Sequence, residues 1–153
     1  MKLSAVFTLC LLVSCGRPTT TVDPAFTDYV NSFETATSHS VKSGISFGDA
    51  GQGNAGFCNF SQQQIQIDQT AWDSFGPDER EELIFHELGH CDFQLTHNLK
   101  KIAVPEARFN NSDEQEPESL MYPVVLTAWL WHEHRAYYVQ QLIDAAQANH
   151  VHF

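Results

Sequence analysis

The stretch Ile84-Phe85-His86-Glu87-Leu88-Gly89-His90-Cys91-Asp92-Phe93-Gln94-Leu95-Thr96-His97 concentrates the chemistry of this chain. Residues four apart on a helix project from one face about one turn apart, so His86 and His90 can offer ring nitrogens to a single metal ion. Glu87 lies between them in sequence and can reach a water on that metal. This is the H-E-x-x-H arrangement, whose chemistry is a zinc-activated water with the glutamate as general base. Two histidines on one helix need a third protein ligand to complete an open catalytic zinc site. His97 is the first candidate. Glu106, Glu114, Glu116 and Glu118 are the carboxylate alternatives, and Asp92 is a candidate partner for the second ring nitrogen of a ligand histidine.

The elements that must position these groups can be read on either side. Pro77 starts the central helix, with Asp78, Glu79, Glu81 and Glu82 near its positive end. Leu83, Ile84 and Leu88 supply its buried surface, and it runs to about Cys91. Gly89 inside it costs about 1 kcal/mol relative to alanine, which implies a packing or site reason for its presence. Upstream, Asp23-Pro24 is a helix start, and Phe26, Tyr29, Val30 and Phe33 give a helix over about 24–36 an apolar face that should back a sheet. Strands are expected over 41–47, 57–60 and 64–68, with a glycine-rich loop at 48–56 whose Asp49 and Asn54 lack the acidic run of a calcium site. Residues 98–118 read as irregular. A final helix over about 127–148 carries Trp131, Tyr138, Leu142 and Ala145 on one strip. It contains His132-Glu133-His134, but these neighbours point different ways around a helix, so they are not read as ligands. His150 and His152 are set aside likewise, and His39, alone in a Ser/Thr-rich break, is read as surface. The fold class is therefore α+β, in one domain over 23–153.

Met1-Lys2 followed by the apolar run from Leu3 to Val13 has the layout of a secretory signal over residues 1–15, too short to span a bilayer as a permanent helix. Its end, Leu12-Val13-Ser14-Cys15, resembles the lipobox of bacterial lipoproteins, which implies lipidation of Cys15; an ordinary signal cleaved nearby is the alternative. Each buried methylene of an acyl chain contributes about 0.8 kcal/mol to anchoring. Residues 16–22 then form a tether. The resemblance implies a lipid-anchored envelope protein facing the periplasm or the exterior, with Gly16 favouring the outer membrane of a Gram-negative cell. Eight basic against nineteen acidic residues give a net charge of −11, and loss of Lys2 with the signal leaves −12. That balance repels phosphate backbones, so nucleic acid is not an expected partner. A monomer is expected.

Four cysteines reduce to Cys58 and Cys91 once Cys10 leaves with the signal and Cys15 is assigned to lipid. In an oxidising compartment these pair, closing a loop of about 30 residues for roughly 3–4 kcal/mol, with two buried thiols as the alternative.

Ser119-Leu120-Met121-Tyr122-Pro123 adds a second motif. With H-E-x-x-H and a trailing histidine, it makes the chain resemble the metzincin zinc peptidases, with a Met-turn in the matrixin-like form. The motifs span residues 78–123. The resemblance implies a zincin fold with a backing helix, an active-site helix and a short C-terminal part holding the Met-turn and last helix. It further implies Zn2+ on His86, His90 and His97, Glu87 as general base, Met121 beneath the metal and an extended peptide as substrate, paired with the edge of the strand preceding the helix. The spacing departs from the pattern: His97 comes seven rather than six residues after His90, and Phe93 stands at the usual glycine. The turn between the ligands must be built differently, with one extra residue. A scaffold that keeps zinc for structure and only binds peptides is the rival reading.

Overall fold

The computed structural model describes residues 21–103 and 115–149. The expected signal with Cys15, tether residues 16–20, Glu106, Glu114, His150 and His152 lie outside them. The architecture is mixed α and β. A 3-10 turn at Pro24–Phe26 leads into α1 (Thr27–Thr37), followed by β1 (Gly44–Phe47), β2 (Gly56–Asn59), β3 (Gln64–Ile67), α2 (Gln69–Ser74), α3 (Pro77–Cys91), β4 (Lys101–Ala103), β5 (Gln115–Pro117) and α4 (Ala128–Ala148). No helix among the described residues is long and apolar enough to cross a membrane.

Local signals start the helices as the sequence implies. The Asp23 carboxylate accepts the Ala25 N–H, Asp68 caps α2 through the Ala71 N–H, and Thr127 caps α4 through the Leu130 N–H. At α3 the cap residue is Gly76, whose N–H is taken by the Glu79 carboxylate. The short helix α2 has no counterpart in the sequence reading. Its capping aspartate was there, but six residues carry too little periodicity to announce a helix.

β3 is central in the larger sheet. It pairs parallel with β1, Ile45 opposite Ile65, and antiparallel with β2, Cys58 opposite Ile65. Two strands are shorter than expected, β1 starting at Gly44 rather than 41 and β3 ending at Ile67 rather than 68, and β2 is shifted by one residue, beginning at Gly56 inside the expected loop. Val22 bridges to Ile45, with Ile45 N–H on Thr21 O and Asp23 N–H on Ile45 O. The last two tether residues thus join the sheet and cover the free side of β1, leaving β2 as its open edge.

α3 is the hub. Its Phe85 packs edge-on to Phe33 of α1 and to Trp131 of α4, and Leu83, Ile84 and Leu88 are buried as the apolar pattern requires. Arg135 of α4 makes a two-pronged ion pair with Glu81 of α3 and donates to Ser32 of α1, while Trp131 Nε1–H also donates to Glu81. Burial pushes the Glu81 pKa up, but the hydrogen bonds from Arg135, Ser32 and Trp131 outweigh it and hold it below its ordinary value. Along α4, Trp131, Tyr138, Leu142 and Ala146 are buried, and Ala145, expected on that strip, is half-buried. His134 kinks the helix with φ −119°.

Two expectations fail here. Residues 98–118 are not wholly irregular, because β4 and β5 pair antiparallel, Ile102 opposite Glu116. Strands of three residues lack enough alternation to be read from sequence. His39 is not on the surface; it is buried, with its Nε2 2.9 Å from the Asp92 carboxylate and its ring against Phe93. A lone polar residue shows no partner in sequence when that partner is 53 positions away.

Candidate metal centre

α3 brings His86, Glu87 and His90 to the face that meets β2 and the segment around Met121. Each helix histidine is oriented by a backbone carbonyl: His86 Nδ1 lies 2.8 Å from Leu120 O and His90 Nδ1 lies 2.7 Å from Leu95 O. A carbonyl only accepts, so both Nδ1 atoms carry the proton and both Nε2 lone pairs are free. Those lone pairs converge. His90 Nε2 is 3.1 Å from His86 Nε2 and 3.1 Å from His97 Nε2, and the three ligand atoms lie within 4.8 Å of one another. A tetrahedral site with metal–nitrogen bonds of about 2.0–2.1 Å has edges of about 3.3–3.4 Å, close to this spacing. Two free lone pairs beside a third ring nitrogen at this spacing suit a cation among them, so the triad can hold a metal ion. Burial, then the neighbouring His90 and His97, pushes the His86 pKa down to about 3, and burial lowers that of His90. Both rings therefore stay neutral, as ligation requires. The triad opens outward, from buried His86 through half-buried His90 to exposed His97.

The joint between His90 and His97 is built without glycine. α3 ends on Asp92, the Leu95 N–H returns to Gly89 O, and the left-handed residue is Gln94, with φ +55°. Phe93, fully buried against Phe33 and His39, cannot take that exposed position. The bend has moved one residue along, and His97 has moved with it, which accounts for the extra residue in the spacing. A non-glycine residue in this conformation costs roughly 1–2 kcal/mol. Two anchors hold the joint. Asp92 accepts from the N–H groups of Lys42 and Ser43, from Ser43 Oγ and from His39. Cys91 is disulfide-bonded to Cys58 of β2. Asp92 thus partners a histidine, as expected of it, but His39 rather than a ligand; backbone carbonyls serve the ligands instead.

Ser119–Pro123 forms a tight turn, with Tyr122 N–H on Ser119 O and Met121 N–H on Ser119 Oγ. Asn98 N–H donates to Met121 O, tying the turn to the residue after His97. Met121 is buried against Gly89, between the two helix histidines: a Cβ on that glycine would stand 2.5 Å from the Met121 sulfur. The glycine anomaly in α3 is explained by this contact.

Glu87 faces the same cleft. Its Oε2 is buried without a hydrogen-bond partner among the described residues, and burial raises its pKa to about 8. A cation on the adjacent triad would pull that value down. The cleft, about 750 Å³, runs between β2 with its preceding loop and Pro123–Val125. Phe57, Phe60, Phe75 and Leu83 make its walls apolar, and Glu87 is the one carboxylate lining it among the described residues. Its rim strand is β2. β3, the last strand before the helix, is enclosed on both sides and has no free edge to offer; the open edge of this sheet is β2. Sequence order does not show this, because a hairpin places the earlier strand outside.

Glu116 and Glu118 are described and stand apart from the triad; Glu118 accepts from Asn98 and Glu116 faces β4. His132 is exposed beside Asp78, and His134 sits at the α4 kink. The parts missed from sequence are the Leu95 and Leu120 carbonyls, whose roles depend on backbone position rather than side-chain type. Comparison of the chain with known protein families, with characterised proteins and with solved structures finds no match.

Proposed function

We propose that this protein is a zinc-dependent endopeptidase of metzincin-like design, anchored to a bacterial membrane through lipid on Cys15. The observation that carries this reading is the clustering of three histidine ring nitrogens within 4.8 Å of one another, with Glu87 lining the same cleft. Three nitrogen ligands with an open side suit catalytic zinc rather than the closed four-ligand set of a structural site. Zinc held there supplies Lewis-acid polarisation of a peptide carbonyl and a more acidic water. Glu87 takes the proton from the attacking water and delivers it to the leaving amine. The open edge of β2 pairs with an extended substrate, whose side chains meet the apolar walls. Glu87 also favours catalysis over mere peptide binding, because a zinc kept for structure has no use for a buried carboxylate whose Oε2 lacks a hydrogen-bond partner among the described residues.

Purified mature protein should contain about one zinc per chain and cleave a mixed peptide library. Chelation should abolish cleavage and added zinc restore it. Zinc-loaded protein that cleaves nothing in such a library would remove the peptidase reading.

A further inference from the structure

Gly56, the first residue of β2, lies directly over the Glu87 side chain. A Cβ at this position would meet Glu87 Oε1 at 2.6 Å, Cγ at 2.7 Å and Cδ at 2.8 Å. Gly51 and Gly53 in the preceding loop need glycine for their backbone, with φ of +84° and +78°; Gly56 has no such need. The three atoms nearest to such a Cβ all belong to Glu87. Glu87 Oε2 has no hydrogen bond to fix it among the described residues, so packing against the strand is what sets the carboxylate's position.

The strand is itself held in register. Cys58 lies two residues after Gly56 on the same strand face, and its disulfide partner Cys91 lies four residues after Glu87 on the same helix face. Two strand residues cover about 6.8 Å and four helical residues about 6.0 Å. The Gly56–Glu87 and Cys58–Cys91 contacts are therefore successive rungs between β2 and α3. We propose that Gly56 is a positioning residue for Glu87, kept over its carboxylate by the Cys58–Cys91 disulfide. The catalytic consequence rests on the peptidase reading; the packing relation does not.

The test compares wild type, Gly56→Ala, Glu87→Ala and the double variant. Thermal unfolding is followed in chelator, and kcat, KM and zinc content are measured on a peptide that wild type cleaves. Gly56→Ala should lower the unfolding midpoint by several degrees in wild type and leave it unchanged in the Glu87→Ala background. Its kcat should fall about 100-fold with KM and zinc content retained, as for a misplaced catalytic group. In a Cys58→Ala/Cys91→Ala background, where β2 can back away, the loss of midpoint should shrink. An equal loss in the Glu87→Ala background overturns the proposal, as does an unchanged kcat. An undiminished loss without the disulfide overturns the disulfide's part. If Gly56→Ala does not fold, a folded double variant supports the proposal and an unfolded one overturns it. Should wild type cleave nothing, the peptidase reading fails while the midpoints still decide the Gly56–Glu87 relation.

Discussion

Met121 rests its sulfur on Gly89, where an added Cβ would stand 2.5 Å from Sδ and 3.0 Å from Leu142 Cδ1. Gly89→Ala would gain about 1 kcal/mol of helix propensity. Overpacking opposes this with about 1–3 kcal/mol, because both neighbours are buried. The variant should be less stable in urea and bind zinc more weakly, since the Leu120 carbonyl that orients His86 adjoins Met121. A more stable variant with unchanged zinc affinity would show that the sulfur does not pack there.

His97 is the residue we propose as third ligand, since its ring nitrogen joins those of His86 and His90. His97→Ala should cost more zinc affinity than the roughly 10–100-fold lost with a ligand's supporting hydrogen bond. Glu116→Ala and Glu118→Ala should retain zinc, because neither carboxylate joins the triad. Competition with a chromophoric chelator reads all three, and zinc lost from a carboxylate variant instead would reassign the ligand.

The Cys58–Cys91 disulfide closes 33 residues of chain separation. Loop entropy puts its contribution at about 4 kcal/mol, so the double alanine variant should unfold at a correspondingly lower denaturant concentration. Equal midpoints with and without the bond would contradict this.

Glu82 is fully buried in α3, and neither carboxylate oxygen has a hydrogen bond of good geometry among the described residues. Burial raises its pKa well above 4.5 against the opposing pull of the Leu126 backbone, with smaller help from repulsion by Glu87 and Glu79. A raised carboxyl pKa means the fold binds the proton more tightly than the unfolded chain. The stability it contributes is complete below pH 4.5 and is lost as pH rises towards the folded value. Glu82→Gln should therefore match wild type near pH 4 and exceed it above neutrality, measured by urea unfolding in chelator. A constant difference at every pH would rule this out. Glu81, lowered by Arg135, Ser32 and Trp131, has the opposite sign, and its contribution is lost as pH falls below its ordinary value.

Much of the site was legible because its parts are side chains at helical spacing. His86, Glu87 and His90 needed only a helix, and that helix announced itself through Pro77 and its apolar face. Cys58 and Cys91 were readable as the even pair left in the mature chain. Met121 was legible as a motif, although what it packs on was not. The joint at Phe93 and Gln94 was visible as a wrong spacing, but how it bends depends on Phe93 being drawn into the core by Phe33 and His39. His39, Gly56 and the Leu95 and Leu120 carbonyls stayed hidden for one shared reason: each acts through a partner distant in sequence or through backbone, and neither leaves a local pattern. The order of the sheet was hidden likewise, since the parallel β1–β3 pair joins residues 20 positions apart, such as Ile45 and Ile65.

The central claim is that Glu87 acts on a peptide bond beside a zinc ion held by His86, His90 and His97. Glu87→Ala tests it most directly, with zinc content and peptide cleavage measured on the same preparation. The expected result is a protein that keeps its zinc and loses cleavage by a factor of about 100 or more, the scale of a positioned general base. A zinc-loaded Glu87→Ala protein that cleaves as fast as wild type would contradict the account.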